Sequence, residues 1–161
     1  MINTYNLFTT QVTHGVLPLQ PIVHKKILSY VEENYKEEDT VSCQKGFQFH
    51  KNFDGKKELD RMIQKTFKQM FDVNLYYGWL NVLGNNSYNK PHSHKGDYVV
   101  LSGVYYLSNT NNNITFLKEN QTFSIEPKLF DYLIFPYDLT HYVLPEKRNE
   151  KRICYAFNLK I

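Results

Sequence analysis

Asn89-Lys90-Pro91-His92-Ser93-His94-Lys95-Gly96-Asp97 runs directly into Tyr98-Val99-Val100-Leu101-Ser102-Gly103-Val104-Tyr105-Tyr106-Leu107. A polar, histidine-bearing approach thus leads into a long run of strand-forming residues. His92 and His94 are two positions apart. Side chains alternate along extended backbone, so both imidazoles project to one side. A third histidine, His141, stands at a similar junction, between Tyr132–Phe135 and Tyr142–Leu144. Three ligands from neighbouring strand ends can cap one face of a metal ion and leave other positions open.

Short runs of the same kind fill the second half of the chain. Leu75–Leu83, Tyr98–Leu107, Ile114–Leu117, Thr122–Ile125, Tyr132–Phe135, Tyr142–Leu144 and Ile153–Leu159 are apolar or alternating. Turn-forming stretches separate them: Asn85-Asn86-Ser87, Asn109 to Asn113, Lys118-Glu119-Asn120 and Glu146 to Lys151. Many short strands at this spacing predict a sandwich or jelly roll. The first half is mixed. Tyr5 to Val12 reads as a strand, and Phe47 and Phe49 mark another short one. Pro21 opens a helix to about Tyr35, with Val23, Ile27, Leu28 and Val31 on one side. Asp54-Gly55 is a turn. Leu59, Met62, Ile63, Thr66, Phe67, Met70 and Phe71 recur at helical spacing over Lys57 to Phe71. The two helices are expected to cover one face of the sheet.

The chain has 161 residues, read as one domain over 1–161. A formal net charge of +3 is modest, and apart from a small basic cluster at Lys147-Arg148 and Lys151-Arg152 the chain carries no strong nucleic-acid-binding signature. Two cysteines, Cys43 and Cys154, exclude a disulfide framework and point to a reducing compartment. No apolar run approaches the roughly 18 residues of a membrane span. Met1 is followed by polar residues rather than a leader's apolar segment, so a cytoplasmic location is expected.

Arg152 opens the last strand-like run and shares a face with Cys154 and Ala156. A guanidinium there can hold a carboxylate through two charge-assisted hydrogen bonds. Cys154 lacks a neighbouring base and reads as a small buried residue rather than a nucleophile. Asp97 is the acidic alternative to His94 as third metal ligand, or a partner that orients a ligating imidazole.

Five blocks in order carry a family resemblance. They are Trp79-Leu80-Asn81, Asn89 to His94, Leu101 to Leu107, Phe135 to Pro145, and Arg152 to Asn158. Together they resemble the 2-oxoglutarate/Fe(II)-dependent oxygenases of bacteria and their phages, and more distantly the prolyl hydroxylases. The resemblance implies a mainly β (α+β) fold, a double-stranded β-helix (jelly roll) with two flanking N-terminal helices. It implies Fe(II) and 2-oxoglutarate as cofactor and co-substrate, and release of succinate and CO2. His92 and His141 match iron ligands, and His94 falls where the wider family has an Asp. A neutral imidazole in that position leaves the metal centre one unit more positive. Arg152 matches the residue that pairs with the distal carboxylate of 2-oxoglutarate. Tyr106, Asn81 and Cys154 match further co-substrate contacts. Phe130 replaces a glycine expected before the Phe135-Pro136 strand, so an altered turn is expected there.

Rival readings are a cupin-like metal-binding barrel without oxygenase activity and a structural phage-type domain. Arg152 separates them, because a cupin has no need of it. A protein side chain, a nucleobase and a small metabolite all remain open as substrate. The polar stretches Gly84 to Lys90 and Tyr137 to Thr140 adjoin the histidines and are the expected mouth of the site. If the chain is phage-encoded, the cytoplasm in question is the host's.

Overall fold

A computed structural model describes residues 2–7, 10–96, 98–110, 112–147 and 149–161. Its elements are β1 (Ile2–Leu7), β2 (Thr10–Val16), α1 (Pro21–Asn34), β3 (Cys43–Phe49), α2 (Lys56–Phe71), β4 (Asn74–His92), β5 (Val99–Tyr106), β6 (Ile114–Lys118), β7 (Gln121–Ile125), β8 (Asp131–Pro136), β9 (Thr140–Val143) and β10 (Arg152–Lys160). The strands join in the order β1-β2-β8-β5-β10-β4-β9-β6-β7, with β3 also paired to β4. All these pairings are antiparallel.

The helices form where the apolar period is 3.6. Pro21 sits in the first turn of α1, where its missing N–H costs nothing. Val23, Ile27 and Val31 of α1 and Leu59, Ile63 and Phe67 of α2 are the buried stripes. Both pack on the outer face of β10 and its neighbours, against Ile153, Tyr155, Phe157 and Leu159. Phe67 stacks on Phe157 at 5.5 Å and meets Tyr132 edge-on at 5.2 Å. Fully burying one such ring contributes about 1.5–3 kcal/mol.

A second core shows that the sheet is curled. Val104 and Tyr106 of β5, Leu133 and Phe135 of β8 and Cys154 of β10 share one cluster with Ile114 and Phe116 of β6 and Ile125 of β7. Strands distant in the pairing order thus face each other across an interior. The fold is mainly β, a jelly-roll half-barrel with two helices on its outside, as the sequence predicts.

Three expectations are corrected. Tyr5 to Val12 is not one strand but falls across β1 and β2, which pair as antiparallel neighbours. Asn85-Asn86-Ser87 does not end a strand: β4 continues through it to His92, paired first with β10 and β3 and then with β9. Asn86 takes a left-handed φ of 57°, so the turn chemistry there produces an irregularity within the strand. Phe130 has a φ of 67°, so it adopts the glycine-like conformation rather than a different turn. Its ring packs edge-on to His24 at 5.1 Å, which helps hold that conformation.

Candidate active site

Register brings the first two histidines together. His92 ends β4, and its cross-strand partner is His141 on β9. Their ring centroids are 4.4 Å apart. His94 lies just beyond β4, where its backbone N–H donates to the Tyr137 carbonyl at 2.8 Å. Its ring centroid is 5.4 Å from that of His92 and 5.0 Å from that of His141. One ring nitrogen from each of the three lies within 4.8 Å of the other two. Small ring rotations bring such atoms within reach of one ion. Asp97, the acidic alternative, lies outside the described residues.

Every Nδ1 of this triad is engaged. His92 meets the Lys90 carbonyl at 2.7 Å, His141 the Leu139 carbonyl at 3.0 Å, and His94 the side-chain oxygen of Asn158 at 2.8 Å. A carbonyl oxygen only accepts, so Nδ1 carries the proton and Nε2 keeps its lone pair. A metal-ligating imidazole is held in the same way, by its other nitrogen. Burial lowers all three pKa values: His92 below its ordinary range, His94 to about 4, and His141 well below normal. Asn158 works against the shift at His94, and the neighbouring imidazoles add to it at His94 and His141. The rings are therefore neutral near pH 7, the form that binds metal.

This has a consequence in acid. A histidine with a depressed folded-state pKa takes up its proton more readily when unfolded. Its contribution is complete above the ordinary value of 6.5 and is lost as pH falls toward about 4. The metal-free protein should lose up to about 1.4 kcal/mol per pH unit over that interval from His94 alone. Urea denaturation at pH 7 and pH 5 checks this, and His94→Gln should lose less between the two.

Inward from the triad runs a cavity walled by alternate residues of β10, β4 and β5. Asn158 stands opposite Ser102 and Tyr77, Ala156 opposite Val104 and Trp79, and Cys154 opposite Tyr106 and Asn81. Arg152 closes the inner end at 2% exposure. Its Nη2 donates to the Tyr106 hydroxyl at 3.1 Å and its Nη1 to Cys154 Sγ at 3.5 Å. The guanidinium also lies over the Tyr106 ring, 5.0 Å from its centroid. Arg152 Nε has no partner, and no carboxylate among the described residues pairs with this cation. Desolvating a charge costs several kcal/mol unless an opposite charge offsets it. The inner end is therefore built to receive an anion. Asn81, expected as a co-substrate contact, also faces the cavity, where its amide donates to Asn89 at 3.0 Å and is met by Gln48 at 3.3 Å.

Gln48, Ser102 and Asn158 escape sequence reasoning, and Asn89, expected at the mouth, faces the cavity instead. Polar residues in strands read as solvent-facing, and only the register turns these inward. The mouth also differs from expectation. Gly84 to Lys90 is part of β4 rather than a loop. A groove of about 670 Å³ opens beside His92 and His94 and is walled by His50, Tyr76, Trp79, Lys95 and Tyr98. His50, Tyr77 and Trp79 form a mutual ring cluster, with centroids 6.0, 5.8 and 5.7 Å apart. Trp79 in turn lies 5.4 Å from His94, so the aromatic wall reaches the triad. No helix is long and apolar enough to cross a membrane among the described residues.

No protein-family model matches this sequence, and no curated protein matches it. Solved structures do match. A Pseudomonas putida prolyl-4-hydroxylase superposes with a TM-score of 0.69 at 12% identity, covering 92% of this chain and 91% of that one. The 2-oxoglutarate-dependent (non-heme alpha ketoglutarate) epimerase SnoN of nogalamycin biosynthesis gives a TM-score of 0.73 at 10% identity, covering 92% and 76%. HygX from Streptomyces hygroscopicus, solved with nickel and 2-oxoglutarate, gives 0.67 at 10%, covering 94% and 83%. At these identities the likeness is one of architecture: the chain has the jelly-roll fold of the 2-oxoglutarate/Fe(II) oxygenases.

Proposed function

We propose that this chain is a 2-oxoglutarate- and Fe(II)-dependent oxygenase, a hydroxylase in the simplest case. The observation that carries the proposal is Arg152, a buried guanidinium without a counter-ion among the described residues, in the same cavity as three imidazoles with free lone pairs. A metal-binding barrel of the cupin kind has no use for that cation. The donor set fits the metal: three neutral imidazoles suit iron and leave open positions for other ligands. The cavity fits a dicarboxylate in kind, with metal ligands at one end and a fixed positive charge at the other.

His92, His94 and His141 would hold the iron. Arg152, with Tyr106 beside it, would take the distal carboxylate of 2-oxoglutarate through charge-assisted bonds. Asn81 and Cys154 line the space between, and the amides of Asn81, Asn89 and Gln48 offer neutral donors along one wall. Bound together, iron and 2-oxoglutarate would supply the oxidation, in which O2 is consumed, the 2-oxo acid loses CO2 to give succinate, and the substrate gains an oxygen atom. The apolar side chains Val104, Ile114, Val143 and Ala156 limit water in the cavity. The substrate would approach by the outer groove, where the rings of His50, Tyr76 and Trp79 suit a flat or CH-rich face. Thr40, Ser42 and Asn158 on the same groove favour a substrate with hydrogen-bonding groups over a lipid. A protein side chain, a nucleobase and a small metabolite all meet that description.

The test is binding, then turnover. Purified protein should be stabilised by Mn(II), and further by 2-oxoglutarate only when the metal is present. At a hundred times its dissociation constant the co-substrate should add about 2.7 kcal/mol. Succinate release with Fe(II) and O2 should follow. Failure to bind metal, or binding of 2-oxoglutarate that ignores it, overturns the proposal.

A further inference from the structure

His94 differs from the other two histidines in what anchors it. His92 and His141 donate to backbone carbonyls of residues two positions before them, and those oxygens accept in every conformation. His94 donates to a side-chain amide, Asn158 Oδ1, 64 residues away on β10. An amide has two faces. Its oxygen accepts, while its nitrogen donates. With the oxygen toward His94, the ring proton sits on Nδ1 and Nε2 offers a lone pair to the cavity. With the nitrogen toward His94, Nδ1 must accept, the proton moves to Nε2, and the ring can no longer bind a metal there.

The same oxygen receives a second donor. Ser102, fully buried and directly opposite Asn158 across β5 and β10, donates its hydroxyl to Asn158 Oδ1 at 3.0 Å. With the amide in this direction both neighbours donate to one oxygen, whereas a flipped amide would require His94 Nδ1 and Ser102 Oγ both to accept. We infer that the Ser102–Asn158 pair is a positioning device that holds His94 in the Nδ1–H tautomer and so makes it the third ligand. Asn158 takes the place that a backbone carbonyl fills for the other two rings. The inference rests on the proposed metal site, but the tautomer it assigns exists without metal.

Two measurements test it. The first is the histidine ring tautomer in the metal-free protein at pH 7.5, read from long-range proton–nitrogen NMR correlations. His94 should be the Nδ1–H form in the wild type, a mixture in Asn158→Ala, and Nδ1–H again in Asn158→Asp, whose carboxylate can only accept. Ser102→Ala should give partial mixing. The second is the Mn(II) dissociation constant. It should rise 10–100-fold in Asn158→Ala, the usual loss when a ligand's outer partner is removed. It should stay within a few-fold of wild type, or fall, in Asn158→Asp. An Nε2–H His94 in the wild type overturns the inference. So does an Asn158→Ala protein that keeps both the tautomer and the affinity. Should Asn158→Ala not fold, Asn158→Asp and Ser102→Ala decide by the same readouts. A wild type that takes up no metal overturns the proposed function, and the NMR result still decides the tautomer.

Discussion

His141→Ala should abolish metal uptake while leaving the protein folded. The ring is 4% exposed at the centre of the triad, between His92 at 4.4 Å and Phe135 at 4.8 Å. Removing an outer partner of a ligand costs 10–100-fold in metal affinity, and removing the ligand itself costs more. Metal analysis after equilibration with one equivalent of Fe(II) or Mn(II) should find stoichiometric metal in the wild type and a small fraction in His141→Ala. The cavity left by the ring costs stability too, so His141→Gln provides a control of closer volume and should also lose the metal. Retention of one equivalent by both variants would remove the triad from consideration.

Arg152→Met is expected to separate stability from function. The guanidinium is buried with Nε unpartnered, and no carboxylate among the described residues pairs with it. Replacing an uncompensated buried charge with an apolar side chain of similar length relieves its desolvation, so the ligand-free variant should be more stable. The gain is on the order of 1–4 kcal/mol, by analogy with buried ion pairs replaced by hydrophobes. The same change should weaken 2-oxoglutarate by about 1.5–3 kcal/mol, the scale of hydrogen bonds to a charged group, or roughly 10- to 150-fold in affinity. Metal affinity should not change. Chemical denaturation reads the first effect and titration of the Mn(II)-loaded protein the second. A variant that is less stable yet binds 2-oxoglutarate normally would show that Arg152 serves the fold alone.

Much of this was legible in the sequence because periodicity reports burial. The stripe Leu59, Ile63 and Phe67 is fully buried in α2, as its spacing predicts. The run from Tyr98 to Leu107 forms β5, Val99–Tyr106, to within one residue at each end. The second half of β4 was not legible, because Asn85-Asn86-Ser87 has the chemistry of a turn. Pairing to β3 and β9 overrides that local preference, and Asn86 uses its tolerance of positive φ for an irregularity instead. At the site, sequence spacing singled out residues whose chemistry is conspicuous: three imidazoles and one guanidinium. It could not single out Gln48, Ser102 or Asn158. Their importance lies in which way they face, and facing is decided by cross-strand register over distances of up to 64 residues.

β10 carries both the anchor of His94 and the cation at the inner end, six positions apart at Asn158 and Arg152. Each residue of a strand advances about 3.3 Å, so the backbone distance between those two positions is about 20 Å. The strand is hydrogen-bonded on both sides, to β4 and to β5, and its outer face is pinned by the helices. That distance cannot stretch to suit a visitor. On the proposed reading the barrel wall is a ruler: it grades 2-oxo dicarboxylic acids by length, and each extra methylene must be absorbed by the acid's own conformation rather than by the protein.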